Sequence, residues 1–121
     1  MGEPKNILVV DDLSAIRSLV RDALTSEDQE IFEAEDTRRA ERLMKFVKFN
    51  LLLLDINMPG MSGIEFLRKI RAEGNSTPVI MLTSSANIED VKESTLLGIS
   101  GYLHKPVKVH DLVKRVQEVL K

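Results

Sequence analysis

Short apolar runs alternate along the chain with longer stretches in which apolar residues recur every three or four positions. The runs cover residues 7–10, 51–54, 79–82 and 102–104, with a weaker, mixed run near residues 30–34. Continuous apolarity over so few residues is typical of strands buried on both faces of a parallel sheet. The longer stretches predict amphipathic helices. The pattern therefore predicts an α/β fold of five strand–helix units, with the second strand at an edge of the sheet.

Five apolar stripes mark the predicted helices. They comprise Leu13, Ile16, Leu19, Val20, Ala23 and Leu24; Ala40, Leu43, Met44 and Val47; Ile64, Leu67 and Ile70; Ile88, Val91 and Leu96; and Leu112, Val116, Val119 and Leu120. Residue types that cap helices stand at three helix starts: Asp36 or Thr37, Ser62 with Glu65 as a capping box, and Asn87. Each helix is expected to pack its stripe against the sheet.

Composition narrows the classes of function. The 121 residues, 43% of them hydrophobic, 30% charged and with a net charge of -2, suit one globular domain with no general attraction to nucleic acid or membranes. The absence of cysteine excludes disulfides and thiolate metal sites. Residues 1–6 lack the apolar core of a signal peptide, and no run approaches the roughly 20 residues of a membrane span. We expect a single cytoplasmic domain over residues 1–121.

Polar side chains follow the predicted strands at their carboxyl ends. Asp11 and Asp12 follow the first strand, Asp55 the third, Thr83 the fourth and Lys105 the fifth. In an open parallel sheet this edge forms the crevice where ligands bind. Paired acids after a strand also often cap the next helix, but Asp55 does not stand at a convenient capping position. Carboxylates about 5 Å apart repel by about 3 kcal/mol per pair at an effective dielectric of 20, which raises a pKa or attracts a cation.

A magnesium ion and a phosphoryl group are the ligands that suit this set of groups. Magnesium prefers oxygen ligands beside phosphate, whereas His104 and His110 stand apart from the acids in the pattern. A carboxylate next to such an ion can attack phosphorus and form an aspartyl phosphate. Lys105 would then hold one phosphoryl oxygen and Thr83 would donate a hydrogen bond to another.

Four motifs in this order and spacing resemble a known family. They are Val9-Val10-Asp11-Asp12, the run LDINMPGMSG at residues 54–63, Thr83-Ser84, and Gly101-Tyr102-Leu103 with Lys105-Pro106. Over residues 4–121 the chain resembles the receiver domain of two-component response regulators, and it is similar to the single-domain chemotaxis regulators. The resemblance implies a flavodoxin-like fold with a five-stranded parallel sheet in the order 2-1-3-4-5.

The resemblance also implies a metal site and a phosphoacceptor. Asp55 would accept a phosphoryl group from a histidine kinase or a phosphotransfer protein. Asp12, Asp55 and the backbone carbonyl of Asn57 would bind Mg²⁺ directly, and Asp11 would act through a water. Lys105 would bind the phosphate, with the Lys105–Pro106 peptide bond in the cis form. The protein would catalyse only its own phosphorylation and dephosphorylation.

Thr83 and Tyr102 match the residues that rearrange together in the family after phosphorylation. Their movement would change the face made by the fourth helix, the fifth strand and the fifth helix, which would control a downstream effector protein. Its expected exposed residues are Lys92, Leu97, Tyr102, His104, Val107 and Lys114. Residues 98–101 lack the acidic pair of relatives that dimerise, so a monomer is expected. Asn57 and Ser85, both small or medium and polar, predict a short-lived phosphoryl group.

Two other interpretations remain. The chain could be the receiver part of a larger regulator, such as a transcription factor. It could instead be a phosphohydrolase of the haloacid dehalogenase class, which also uses an aspartate nucleophile with magnesium. Those enzymes need a second carboxylate two residues after the nucleophile, where this chain has Asn57.

Overall fold

The computed structural model describes residues 2–84 and 87–121. Strands and helices alternate in the order β1 (Lys5–Val10), α1 (Ser14–Leu24), β2 (Gln29–Ala34), α2 (Thr37–Phe46), β3 (Leu51–Asp55), α3 (Gly63–Ala72), β4 (Val79–Thr83), α4 (Ile88–Leu96), β5 (Gly101–His104) and α5 (Val109–Leu120). All four strand pairs are parallel, and the strands lie in the order β2-β1-β3-β4-β5. The predicted fold class and strand order are confirmed, and so is the edge position of β2.

The sheet carries one apolar core on each face. Alternate residues of a strand point to opposite faces, so that Leu8 and Val10 of β1 belong to one core and Ile7 and Val9 to the other. The first core contains residues of α2 and α3, and the second contains residues of α1 and α5. The central strands are therefore buried on both sides, which explains their continuous apolar sequence. Among the described residues, no helix has the length and apolarity needed to cross a membrane.

The predicted caps stand at their helix starts. Asp36 accepts a hydrogen bond from the Arg39 amide at 2.8 Å, and Asn87 accepts one from the Glu89 amide at 2.9 Å. Ser62 and Glu65 form both hydrogen bonds of a capping box, each 3.2 Å long. These bonds satisfy amides that have no partner within their helices.

The start of α3 packs unusually closely on the end of β3. A Cβ atom added at Gly63 would lie 2.0 Å from the backbone oxygen of Asp55. The Gly63 amide donates a hydrogen bond to the Ile56 carbonyl at 2.8 Å. Only glycine permits this approach, which holds the segment after Asp55 against the helix.

Two of the predicted apolar stripes are wrong in part. Leu13 precedes α1 and is about half exposed, so it does not pack in the helix stripe. In α4, Ile88 is 70% exposed and Leu96 is 87% exposed. The inner side of α4 instead buries Ser94, whose hydroxyl donates a hydrogen bond to the Asp90 carbonyl at 2.7 Å. A polar residue bonded to its own helix can be buried in this way, so periodicity alone misplaced the inner face.

Candidate functional site

Three carboxylates meet at the carboxyl edge of the sheet. Asp11 and Asp12 follow β1, and Asp55 ends the adjacent strand β3. One oxygen atom from each carboxylate lies within 4.8 Å of the other two. Asp11 and Asp55 are buried, whereas Asp12 is exposed. The structure thus brings together the three acids that the sequence placed at strand ends.

Lys105 bridges the two buried acids. Its Nζ atom lies 2.8 Å from Oδ2 of Asp11 and 3.3 Å from Oδ1 of Asp55. The Lys105 amide donates a hydrogen bond to the Thr83 carbonyl at 2.7 Å, which ties the end of β5 to the end of β4. The Lys105–Pro106 peptide bond is cis. Among the described residues the pocket combines this one ammonium group with three carboxylates, so it holds an excess of negative charge.

Burial and neighbouring charges both shift the pKa values of the pocket. Burial raises the pKa of Asp55 from 3.8 to about 6, and repulsion from Asp11 adds to the shift, while the Lys105 ammonium and the Asn57 amide partly offset it. Burial lowers the pKa of Lys105, but its contacts with Asp11 and Asp55 outweigh burial and raise that pKa overall. Ionised Asp55 is therefore costly without a further positive charge.

The donor atoms of the pocket suit a hard divalent cation. Oδ1 of Asp11 accepts a hydrogen bond from the Leu13 amide at 2.9 Å. Oδ2 of Asp11 is buried and, besides its ion pair with Lys105, receives no well-directed hydrogen bond from the described residues. This oxygen atom can therefore still accept a cation or a water molecule bound to that cation. The three ligand atoms that the cluster offers are all carboxylate oxygens, which is the preference of Mg²⁺.

Asn57 lies beside Asp55, where the family resemblance placed it. Its side chain belongs to the exposed part of the loop after β3, and its amide donates to Oδ1 of Asp55 over a long 3.3 Å. Its carbonyl as a metal ligand stays a prediction. Ser85, the other residue predicted to tune phosphoryl lifetime, lies outside the described residues.

Thr83 and Tyr102 share one face of neighbouring strands. Thr83 is buried at the end of β4 and pairs in register with His104, while Tyr102 pairs with Met81. Tyr102 is partly buried and packs against the core on the α2 and α3 side of the sheet. Its hydroxyl donates a hydrogen bond to the Asp90 carbonyl of α4 at 3.1 Å, and burial raises its pKa. This link from β5 to α4 had no signal in the sequence, because Asp90 contributes a backbone atom.

The prediction that all six residues of the partner face are exposed is wrong for three of them. Lys92, His104 and Lys114 are exposed, and Leu97 and Tyr102 are partly buried. Val107 was expected to be exposed, but it is only 7% exposed and belongs to the core on the α1 and α5 side. Val107 is apolar, and burial in that core stabilises it.

The five-stranded parallel α/β fold carries three acids and a lysine at its carboxyl edge, and the comparisons identify the family. Residues 7–117 match the family model described as "Response regulator receiver domain". The chain belongs to the receiver-domain family of response regulators. The resemblance drawn from the sequence motifs is confirmed.

Named relatives and solved structures agree with this assignment. The chain is 35% identical to the chemotaxis protein CheY-3 of Vibrio cholerae, over 98% of this chain and 94% of that protein. It is also 35% identical to the phosphate regulon transcriptional regulatory protein PhoB of Pseudomonas aeruginosa, over 97% of this chain but 52% of PhoB. The chain therefore spans about half the length of PhoB. The crystal structure of V. cholerae CheY4 superposes with a TM-score of 0.89 at 34% identity, covering 97% of this chain and 99% of that one.

Proposed function

We propose that the protein is a phosphorylation-activated signalling switch in which Asp55 accepts a phosphoryl group in a Mg²⁺-dependent reaction. The observation that carries this proposal is the position of Asp55, buried among two other carboxylates and 3.3 Å from the Lys105 ammonium. Such an arrangement costs stability in the resting protein. It supplies the three things that phosphoryl transfer needs: a carboxylate nucleophile, oxygen ligands for Mg²⁺ and an ammonium group for the phosphoryl oxygens. The family assignment supports the same chemistry.

Each residue has a separate part in the transfer. An oxygen of the Asp55 carboxylate attacks the phosphorus atom, the bond from phosphorus to the leaving group breaks, and the leaving group departs with that electron pair. Lys105 compensates the charge on the phosphoryl oxygens from the position where it now bridges Asp11 and Asp55. Mg²⁺, held by Asp12, Asp55 and the Asn57 carbonyl with Asp11 acting through a water, would supply further charge compensation.

The response to phosphorylation runs through Thr83 and Tyr102. A phosphoryl group adds about -1.5 to -2 charges beside the carboxyl end of β4, which draws the Thr83 hydroxyl toward it. Tyr102 lies on the same face of the next strand, and its hydrogen bond to the Asp90 carbonyl connects that movement to α4. The exposed Ile88 and Leu96 of α4 add apolar area to the predicted partner face. The change on this face would control a downstream effector protein.

The phosphoryl source and the assembly follow the sequence predictions. We propose that a histidine kinase or a phosphotransfer protein is the donor. Residues 1–121 would act as one cytoplasmic receiver domain and a monomer, without direct contact with nucleic acid or membrane. The protein would not turn over an external substrate. A second candidate, the receiver part of a transcription factor, is favoured by the match to half of PhoB.

Intact-mass spectrometry after treatment with acetyl phosphate tests the phosphoacceptor. We expect one added phosphate in the presence of Mg²⁺, and none with EDTA or in Asp55→Asn. The control variant Asp22→Asn removes an exposed carboxylate on α1, outside the acid cluster, and should be phosphorylated like the parent. Undiminished phosphorylation of Asp55→Asn would reject Asp55 as the acceptor.

A further inference from the structure

A second group of charges lies behind the loop that carries Asp11 and Asp12. Arg17 on α1 donates a hydrogen bond from Nη1 to the backbone carbonyl of Asp11 at 2.6 Å. Its Nε atom lies 3.2 Å from Oε1 of Glu33 on β2. The side chains of Arg17 and Glu33 are only 17% and 20% exposed, so this pair is far better shielded than most surface ion pairs.

The carbonyl that Arg17 contacts belongs to the peptide group between Asp11 and Asp12. The Asp11 amide is already held by the Ala34 carbonyl at 3.1 Å, and its Oδ1 atom is held by the Leu13 amide. The Arg17 contact therefore acts on the peptide plane that leads directly into Asp12. The Cα atom of Asp12 lies in that peptide plane. The orientation of the plane therefore sets where the exposed Asp12 carboxylate is placed.

Glu33 serves as the anchor for Arg17. Its carboxylate holds the guanidinium in place, so that Arg17 presents a directed hydrogen bond to the Asp11 carbonyl. Arg21, one turn further along α1, pairs with the other carboxylate oxygen of Glu33. In the described structure the Arg21 side chain makes no hydrogen bond or ion pair with Asp11 or Asp12. Arg17 and Arg21 thus share an anchor but differ in their contact with the acidic loop.

We infer that Arg17, held by Glu33, is a positioning residue for Mg²⁺ that orients the peptide group between Asp11 and Asp12. This inference rests on the proposed function, because it requires that the acids bind the ion. Hydrogen-bond partners behind metal ligands typically change metal affinity by about 10- to 100-fold when they are removed. A partly exposed ion pair such as Arg21–Glu33 contributes little by comparison.

Calorimetric titration of the full chain with Mg²⁺ tests the inference in three variants. Arg17→Met keeps most of the side-chain volume but removes both donors, and its Kd should rise about tenfold or more. Arg21→Met should stay within about twofold of the parent. The Kd of Arg17→Lys should lie between those of the other two variants. An ammonium group can reach the carbonyl but cannot also reproduce the fixed geometry of the guanidinium.

Phosphorylation by acetyl phosphate separates positioning from chemistry. In Arg17→Met the Mg²⁺ concentration for half-maximal rate should rise with the Kd, while the maximal rate stays within about twofold of the parent. Circular dichroism checks that each variant is folded, and if Arg17→Met is not, the comparison of Arg17→Lys with Arg21→Met decides. Unchanged Mg²⁺ affinity in the Arg17 variants, or equal weakening in Arg21→Met, would overturn the inference. A parent protein that binds no Mg²⁺ would overturn the proposed function instead.

Discussion

The two ends of the parallel sheet hold their polar groups in opposite ways. At the amino ends of β1 and β3, the Asn6 amide donates to Oδ1 of Asn50 and the Asn50 amide donates to the Asn6 carbonyl, both at 2.8 Å. At the carboxyl ends, Asp11 and Asp55 are buried with one shared ammonium group, and the pKa of Asp55 is raised to about 6. One edge matches neutral donors to acceptors, whereas the other concentrates like charges.

The contrast indicates where the fold gives up stability for chemistry. A buried donor or acceptor that finds its partner stabilises the fold modestly, while a buried charge without full compensation is costly. The central strands β1 and β3 contribute residues to both edges, so the same framework supports both solutions. Substitutions that remove a polar side chain should therefore change stability with opposite sign at the two edges. Four measurements test this contrast and the close backbone packing beside it.

The largest expected effect is at Gly63, where the carboxyl edge also depends on close backbone contact. In Gly63→Ala, the new Cβ atom meets the Asp55 backbone oxygen, so either α3 or the loop after β3 must move. We expect a loss of about 3 kcal/mol in the free energy of unfolding, measured in urea. Gly101→Ala is the matched control, because its nearest neighbour is a side-chain atom of Arg115 at 3.8 Å. Similar losses in both variants would show that the close approach is unimportant.

The second largest effect is the difference in the free energy of unfolding between Asp55→Asn and Asn50→Ala. Without Mg²⁺, at about pH 8, Asp55→Asn should raise the free energy of unfolding by about 1 to 3 kcal/mol, because it removes a buried charge whose pKa lies above 3.8. Asn50→Ala should lower it by about 1 kcal/mol, because the Asn6 amide loses its acceptor. Urea unfolding with EDTA gives both values, and the same sign in both variants would contradict the contrast between the edges.

The pH dependence of the Asp55 effect has a definite sign. Between about pH 4 and pH 6 the folded protein holds a proton on Asp55 that the unfolded chain has released, since the folded pKa is the higher one. The contribution of Asp55 to stability is therefore greatest below about pH 4 and is lost as the pH rises through about 6. The advantage of Asp55→Asn should shrink toward zero as the pH falls to about 4. An advantage that is independent of pH would point to a cause other than charge.

The smallest change in stability is expected at Asp12. Its carboxylate is exposed, so Asp12→Ala should stabilise the metal-free protein by only a few tenths of a kcal/mol. The same variant should lose the upward shift in Tm that Mg²⁺ causes in the parent, because a direct ligand is missing. Thermal unfolding with and without Mg²⁺ measures both. An undiminished Mg²⁺ shift in Asp12→Ala would exclude Asp12 as a ligand.

The sequence by itself determined the order of strands and helices and the strand ends that carry Asp11, Asp12, Asp55, Thr83 and Lys105. Both depend on local patterns: continuous apolar runs for buried strands, and polar residues at their ends. The three caps were equally visible, because a capping side chain bonds an amide within three residues of itself. The motifs then identified the family.

Only the tertiary structure decided which of these groups touch and how far each is buried. Val107 and the α4 residues Ile88 and Leu96 look alike in the sequence, but packing buries the first and exposes the others. The Arg17 contact with the Asp11 carbonyl joins a side chain of α1 to a backbone atom. Glu33, which anchors Arg17, lies on β2. Periodicity indicates which side of a helix or strand is apolar. Contacts between elements depend instead on how the helices pack on the sheet. For that reason the residues that carry the chemistry of the pocket could be predicted from the sequence. The contacts of Arg17 and Glu33 that hold the acidic loop could not.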